Sequence, residues 1–244
     1  MFIRSLRAEA QKLKGSFIWL VVIALPLLSA VLGTGNYLGN IGLLTEQWYS
    51  LWSQHSLFYC MLFAPALSGV YCAYLCRLEH FDHNWNTLLT MPIPYWAIFA
   101  SKLTIAAILS GATQLWIGAL YIICGKMVGF SASIPPELGL WLLRGWGALI
   151  VQASLLLCCA LIVQAFAVPV ALGLAGGFCG FILMAKGYGA YFPFSLLTIG
   201  MCANRPHAPM PCTTPFFVLA ILFFSLAGIL FGTVWLARHD VQAS

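Results

Sequence analysis

Six apolar runs, each long enough to cross a lipid bilayer, decide what this chain can fold into. A spanning helix needs about 20 apolar residues. The runs cover roughly 16–34, 57–76, 103–124, 140–164, 170–186 and 215–237. The fourth and fifth are separated only by "AFAVP", a tight turn in which Pro169 can open the next helix. Charged side chains make up 7% of the 244 residues, against about 25% in soluble domains, too few to solvate a water-soluble fold. Backbone groups in hydrocarbon must be satisfied within their own segment, and helices do this. The predicted fold is therefore an all-α integral membrane protein: one transmembrane domain over 1–244, with six transmembrane helices.

The sparse charges set the orientation. Arg4, Arg7, Lys12, Lys14, Arg77, Lys102 and Arg238 fall on the side of the termini, and Lys126, Arg144, Lys186 and Arg205 on the other. Seven against four places both termini in the cytoplasm by the positive-inside rule. The net charge of +5 thus reports loop topology and does not imply a nucleic-acid surface. "MFIRSLRAEAQKLK" puts Phe2, Ile3, Leu6, Ala10 and Leu13 on one helical arc, with a basic rim of Arg4, Arg7, Lys12 and Lys14. Residues 1–15 are predicted to form an amphipathic interfacial helix on the inner leaflet. It is either a lipid anchor or an elbow that passes movement from a cytoplasmic partner into the first span. This basic stretch favours a retained first helix over a cleaved signal peptide.

The polar stretch "HFDHNWNTLLTMPIP" interrupts the second and third spans. Leu78, Phe81, Trp85, Leu88 and Leu89 share one helical face, and Glu79, His80, His83, Asn86 and Thr87 the other. "MPIP" stops the helix, because proline lacks an N–H and biases its predecessor away from helix. Segment 77–94 is predicted to hold a short cytoplasmic helix with its polar side, including His80, turned to the cytoplasm. His80 and His83, beside Glu79 and Asp82, have a spacing that zinc sites use, but no third or fourth ligand stands nearby and HExxH is absent. No metal and no catalytic residue is assigned, and GxSxG is also absent. Two readings stay open: a docking surface, or an ordinary amphipathic loop.

The outer side offers other candidates. Trp48, Tyr49 and Trp52 form either an interfacial belt or an aromatic ledge that contacts an amphiphilic substrate. Gln114, Gln152 and Gln164 either line a modest path or bond helix to helix. "ALGLAGGFCG" carries the small-xxx-small pairs Gly173/Gly177 and Gly176/Gly180, which permit close helix contact. Seven cysteines in apolar runs read as small hydrophobes. Cys202 and Cys212 bracket the proline-rich part of the outer loop 187–214, where a disulfide is chemically allowed and free thiols are the alternative.

Glu79 after the second span, "TLLTMPI" (87–93) and Lys102 at the third resemble the membrane subunits of ABC-2 type exporters. The six-span layout is similar too. "YFPFS" (191–195) and the short chain look like the lantibiotic-immunity permeases within that family. The resemblance implies an N-terminal elbow and a cytoplasmic coupling helix between helices 2 and 3. Its ATPase contacts would be Glu79, His80, Asp82, His83, Trp85, Asn86, Thr87 and Leu88. The chain has no GxxxxGK[ST] loop, so it holds no ATP by that motif. The resemblance implies two copies of a separate ABC ATPase, carrying ATP and Mg, and a second six-span permease, identical or homologous. No cofactor is expected in this chain itself. The expected function is outward movement of a hydrophobic or amphiphilic substrate, a lantibiotic-like peptide, at the bacterial cytoplasmic membrane. The competing expectations are a membrane-embedded lipid- or peptide-modifying enzyme and a non-transporting scaffold.

Overall fold

The computed structural model describes residues 1–80, Trp85 and 91–238. Most of these residues are helical, with no strand among them. The order is α1 (Phe2–Lys12), α2 (Ile18–Gly39), α3 (Gln47–Phe58), α4 (Ala64–His80), α5 (Tyr95–Val128), α6 (Leu138–Ile162), α7 (Ala167–Ala185), α8 (Ser195–Gly200) and α9 (Thr214–Arg238). Six helical stretches are long and apolar enough to cross a membrane: α2, the continuous α3–α4 stretch, α5, α6, α7 and α9.

The second of these differs most from the sequence expectation. It begins at Gln47, ten residues before the apolar run, and extends 34 residues to His80. The polar half, "QWYSLWSQHS", enters because its side chains find partners inside. Thr34 Oγ1 bonds His55 Nε2 at 2.9 Å, Asn36 Nδ2 donates to Gln54 Oε1 at 2.5 Å, and Ser56 Oγ donates to the Trp52 carbonyl at 2.6 Å. Buried polar groups are tolerated when paired, and a hydropathy window cannot see the pairing. Pro65 has no N–H for the Met61 carbonyl four residues earlier, and the helix relaxes there into a π turn over Tyr59–Phe63.

Helix α6 is central: two-thirds of its most apolar stretch is buried, against 17% for α9 and 22% for α7. It packs on α4, α5, α8 and α9, while α7 lies along α4. Glycine permits that last approach. A Cβ on Gly177 would sit 2.6 Å from Pro65 Cγ and 2.7 Å from the Met61 carbonyl. Gly180 does the same against the backbone of Ser195, at 2.8 Å. Two apolar clusters fill the bundle. One, nearer the α3 end, holds Trp48, Trp52, Tyr121 and Trp141. The other, nearer the α1 end, holds Leu75, Trp85, Ile98, Phe99 and Leu157.

Candidate functional site

The strongest concentration of buried charge among the described residues lies where α1, the end of α4 and the start of α5 meet. Glu9 comes from α1, Glu79 from the last turn of α4, and Lys102 from the third turn of α5. All three are buried, Lys102 completely. Lys102 Nζ lies 3.0 Å from Glu9 Oε1, 2.6 Å from Glu79 Oε1 and 2.6 Å from the Leu75 carbonyl. Lys12 closes the set, 2.8 Å from Glu9 Oε1 and paired with Glu79 Oε1. Two acids and two bases make the cluster formally neutral, which is how buried charge is tolerated. Glu9 Oε2 and Glu79 Oε2 have no hydrogen-bond partner among the described residues.

Further contacts fasten α1 to the same place. Tyr74 Oη donates to the Lys12 carbonyl at 3.1 Å, the Ser5 and Ser101 hydroxyls meet at 2.9 Å, and Phe2 stacks on Trp96. The basic rim divides accordingly. Arg4, Arg7 and Lys14 stay exposed, whereas Lys12 turns inward to the acids. Ile3 and Ala10, on the apolar arc, are exposed, free of the protein core as a lipid-facing side would be.

Glu79 and His80 correct the expectation of an outward polar face. Helix α4 continues through both, so its phase, and not that of a new helix, decides where they point. Glu79 faces the two lysines. His80 is buried against α6, with Nε2 2.8 Å from the Ala160 carbonyl and Nδ1 accepting from Trp85 Nε1 at 3.1 Å. Trp85 is fully buried, and Lys102 Nζ lies 5.8 Å from its ring centroid. Asp82, His83, Asn86, Thr87 and Leu88 lie outside the described residues.

At the opposite end, Trp48 and Trp52 are no exposed ledge. Each is buried and donates its indole N–H inward, to the Ala132 carbonyl at 2.8 Å and the Met201 carbonyl at 2.9 Å. Tyr49 is half-buried, lies 4.0 Å from the His207 ring and donates to Glu137 Oε2 at 3.1 Å. His207 Nε2 is 2.5 Å from Glu46 Oε2. These residues border a cleft of about 510 Å³ whose lining includes Glu46, Tyr49, Ser53, Asn204, Arg205 and His207. Gln47, Cys202 and Asn204, in or beside this region, hold left-handed backbone at φ 24°, 47° and 62°, unusual for non-glycine residues.

Residues 5–180 match the family model described as ABC-2 family transporter protein, well over half of the chain. The chain belongs to the ABC-2 transporter family. No curated protein and no solved structure matches it. With its six apolar helices, this ABC-2 protein is a multi-pass membrane protein and the permease of an ABC exporter, a transport subunit whose family implies association with an ABC ATPase.

All four residues of the buried charge cluster lie inside the matched stretch, whereas Asn204, Arg205 and His207 lie beyond it. The glutamines of this ABC-2 protein do not converge on a path. Gln114 Nε2 donates to the Leu142 carbonyl at 3.1 Å and Gln152 Nε2 to the Phe194 carbonyl at 3.3 Å, both between elements. Gln164 falls after the end of α6, exposed in the connector to α7. Cys202 and Cys212 are free thiols, and burial pushes both up from the ordinary thiol range. Sequence reasoning missed Glu9 and the inward role of Lys12. The available signal was an acid alone in a basic amphipathic stretch, matched by a lone lysine at the head of an apolar run.

Proposed function

We propose that this ABC-2 permease moves a hydrophobic or amphiphilic substrate, specifically a lantibiotic-like antimicrobial peptide, out of or off the bacterial cytoplasmic membrane. Both termini face the cytoplasm. Two copies of an ABC ATPase, holding ATP and Mg, dock on segment 77–94, and a second six-span permease, identical or homologous, completes the pathway. The observation that carries this reading is the cluster of Glu9, Lys12, Glu79 and Lys102. A push on the segment between α4 and α5 cannot shift α4 alone, because the shared carboxylates drag α1 and α5 with it. That is the mechanical property an ATP-driven permease needs at its docking end.

The internal bonds of Gln114 and Gln152 support a substrate carried at the lipid boundary over one carried through a wet pore. The narrower peptide reading is supported by the "YFPFS" phrase and the short chain. Co-expression with its ATPase in a sensitive bacterium tests it, with survival in a lantibiotic as the readout. The expected result is ATP-dependent protection. An assembled, ATP-hydrolysing complex that gives no protection would remove the peptide as substrate.

A further inference from the structure

Helix α6 ends at Ile162, so its last carbonyls have no partner within the helix. The Cys159 carbonyl accepts from Val163 N at 2.9 Å. The next carbonyl, that of Ala160, is reached by a side chain from another helix: His80 Nε2, at 2.8 Å. A carbonyl only accepts, so Nε2 carries the hydrogen. The other ring nitrogen faces the indole N–H of Trp85 at 3.1 Å, which only donates. The two partners together fix a neutral imidazole with its hydrogen on Nε2. Both nitrogens are used, and the ring is buried.

The chain of bonds runs from Trp85, inside segment 77–94, through the last residue of α4, to the C-terminal turn of α6. Trp85 is itself wedged in place, fully buried beside Lys102 on α5. The charge cluster links that segment to α1 and α5. The imidazole links it to a different element, the most buried helix of the bundle, just before the connector to α7.

We propose that His80 is a positioning residue that passes movement of the docking segment to the C-terminal end of α6 through the Trp85–His80–Ala160 relay. This rests on the reading of segment 77–94 as the ATPase docking site. It adds a second branch, in which the α6–α7 connector moves with ATP alongside α1 and α5. His80 contacts no substrate; it acts by holding a helix end.

The test uses the intact complex with its ATPase, nucleotide-free and trapped with ATP and vanadate, and reads amide hydrogen exchange over 159–166. In the wild type, trapping should change exchange there. His80→Phe, which removes both bonds, should abolish that change. Trp85→Phe keeps an aromatic ring and removes one donor; it should abolish the change as well. His80→Gln can still accept and donate, and should restore it. A purely structural role would instead raise exchange equally in both states and spare the trapping-dependent difference. Retention of the wild-type difference in Trp85→Phe and His80→Phe would overturn the proposal, and if His80→Phe fails to assemble, Trp85→Phe and His80→Gln decide it. Failure of the docking reading looks different: the wild-type chain would still bring down its ATPase, but cross-links placed in segment 77–94 would not reach it.

Discussion

Lys102 shows how a single side chain can hold three helices. Its ammonium reaches Glu9 on α1, Glu79 on α4 and the Leu75 carbonyl, with no exposure to solvent. Removing one partner of a buried ionic set leaves uncompensated charge and costs about 3–5 kcal/mol. Lys102→Met should therefore lower stability by that amount in thermal unfolding of the purified protein. Adding Glu79→Gln restores neutrality, leaving Glu9 with Lys12. The double variant should be more stable than the lysine variant alone, a non-additivity that would be absent if these charges did not interact. Residue chemistry was only half legible in the sequence. Glu79 and Lys102 stand out by type, but Glu9 and Lys102 are 93 positions apart, and no local periodicity joins them. A helical wheel for 77–94 separates Glu79 and His80 from Leu78 but does not say which side meets the bundle. Helix α4 continues through His80 and turns that polar side inward, leaving Leu78 exposed. A second residue-scale expectation concerns Cys202 and Cys212, free thiols whose pKa burial raises. Alkylation should be slow near neutral pH and accelerate as pH rises and thiolate forms, with reductant making no difference. Labelling that appears only after reduction would show a disulfide instead.

At the scale of elements, α7 packs closely along α4 and its π turn. Gly177 lies against Pro65 and the Met61 carbonyl with no room for a Cβ. Gly177→Val should cost about 1–3 kcal/mol through overpacking. Gly139, in the first turn of α6, has open space where a Cβ would stand, with no neighbour within 4 Å, and Gly139→Ala should leave the melting temperature unchanged or higher. Equal loss in both would show that the α4–α7 contact does not govern the response. The small-xxx-small spacing made a close contact foreseeable, but not its partner. The start of α3 was illegible for another reason. Its Ser, Gln and His side chains read as loop, and only their pairing with Thr34, Asn36 and backbone carbonyls makes them helix interior.

Over the whole molecule, the six apolar runs each correspond to a helix long enough to span a bilayer, because run length and charge scarcity are one-dimensional properties. The internal arrangement, with α6 central and α9 peripheral, depends on which faces meet and is not written in run length. The buried cluster and the imidazole relay lie at one end of the bundle, the Glu46–His207 cleft at the other. An ABC-2 permease with this build is expected to take its energy at the end where α1, α4 and α5 are locked together. The most direct measurement is ATP hydrolysis in the assembly purified through this chain from its native membrane. Vanadate-sensitive hydrolysis should accompany the wild type and be lost with Asp82→Ala combined with His83→Ala, while the variant's melting temperature stays at the wild-type value. A folded wild-type chain that purifies with no ATP hydrolysis, or a double variant that keeps all of it, would contradict docking on segment 77–94.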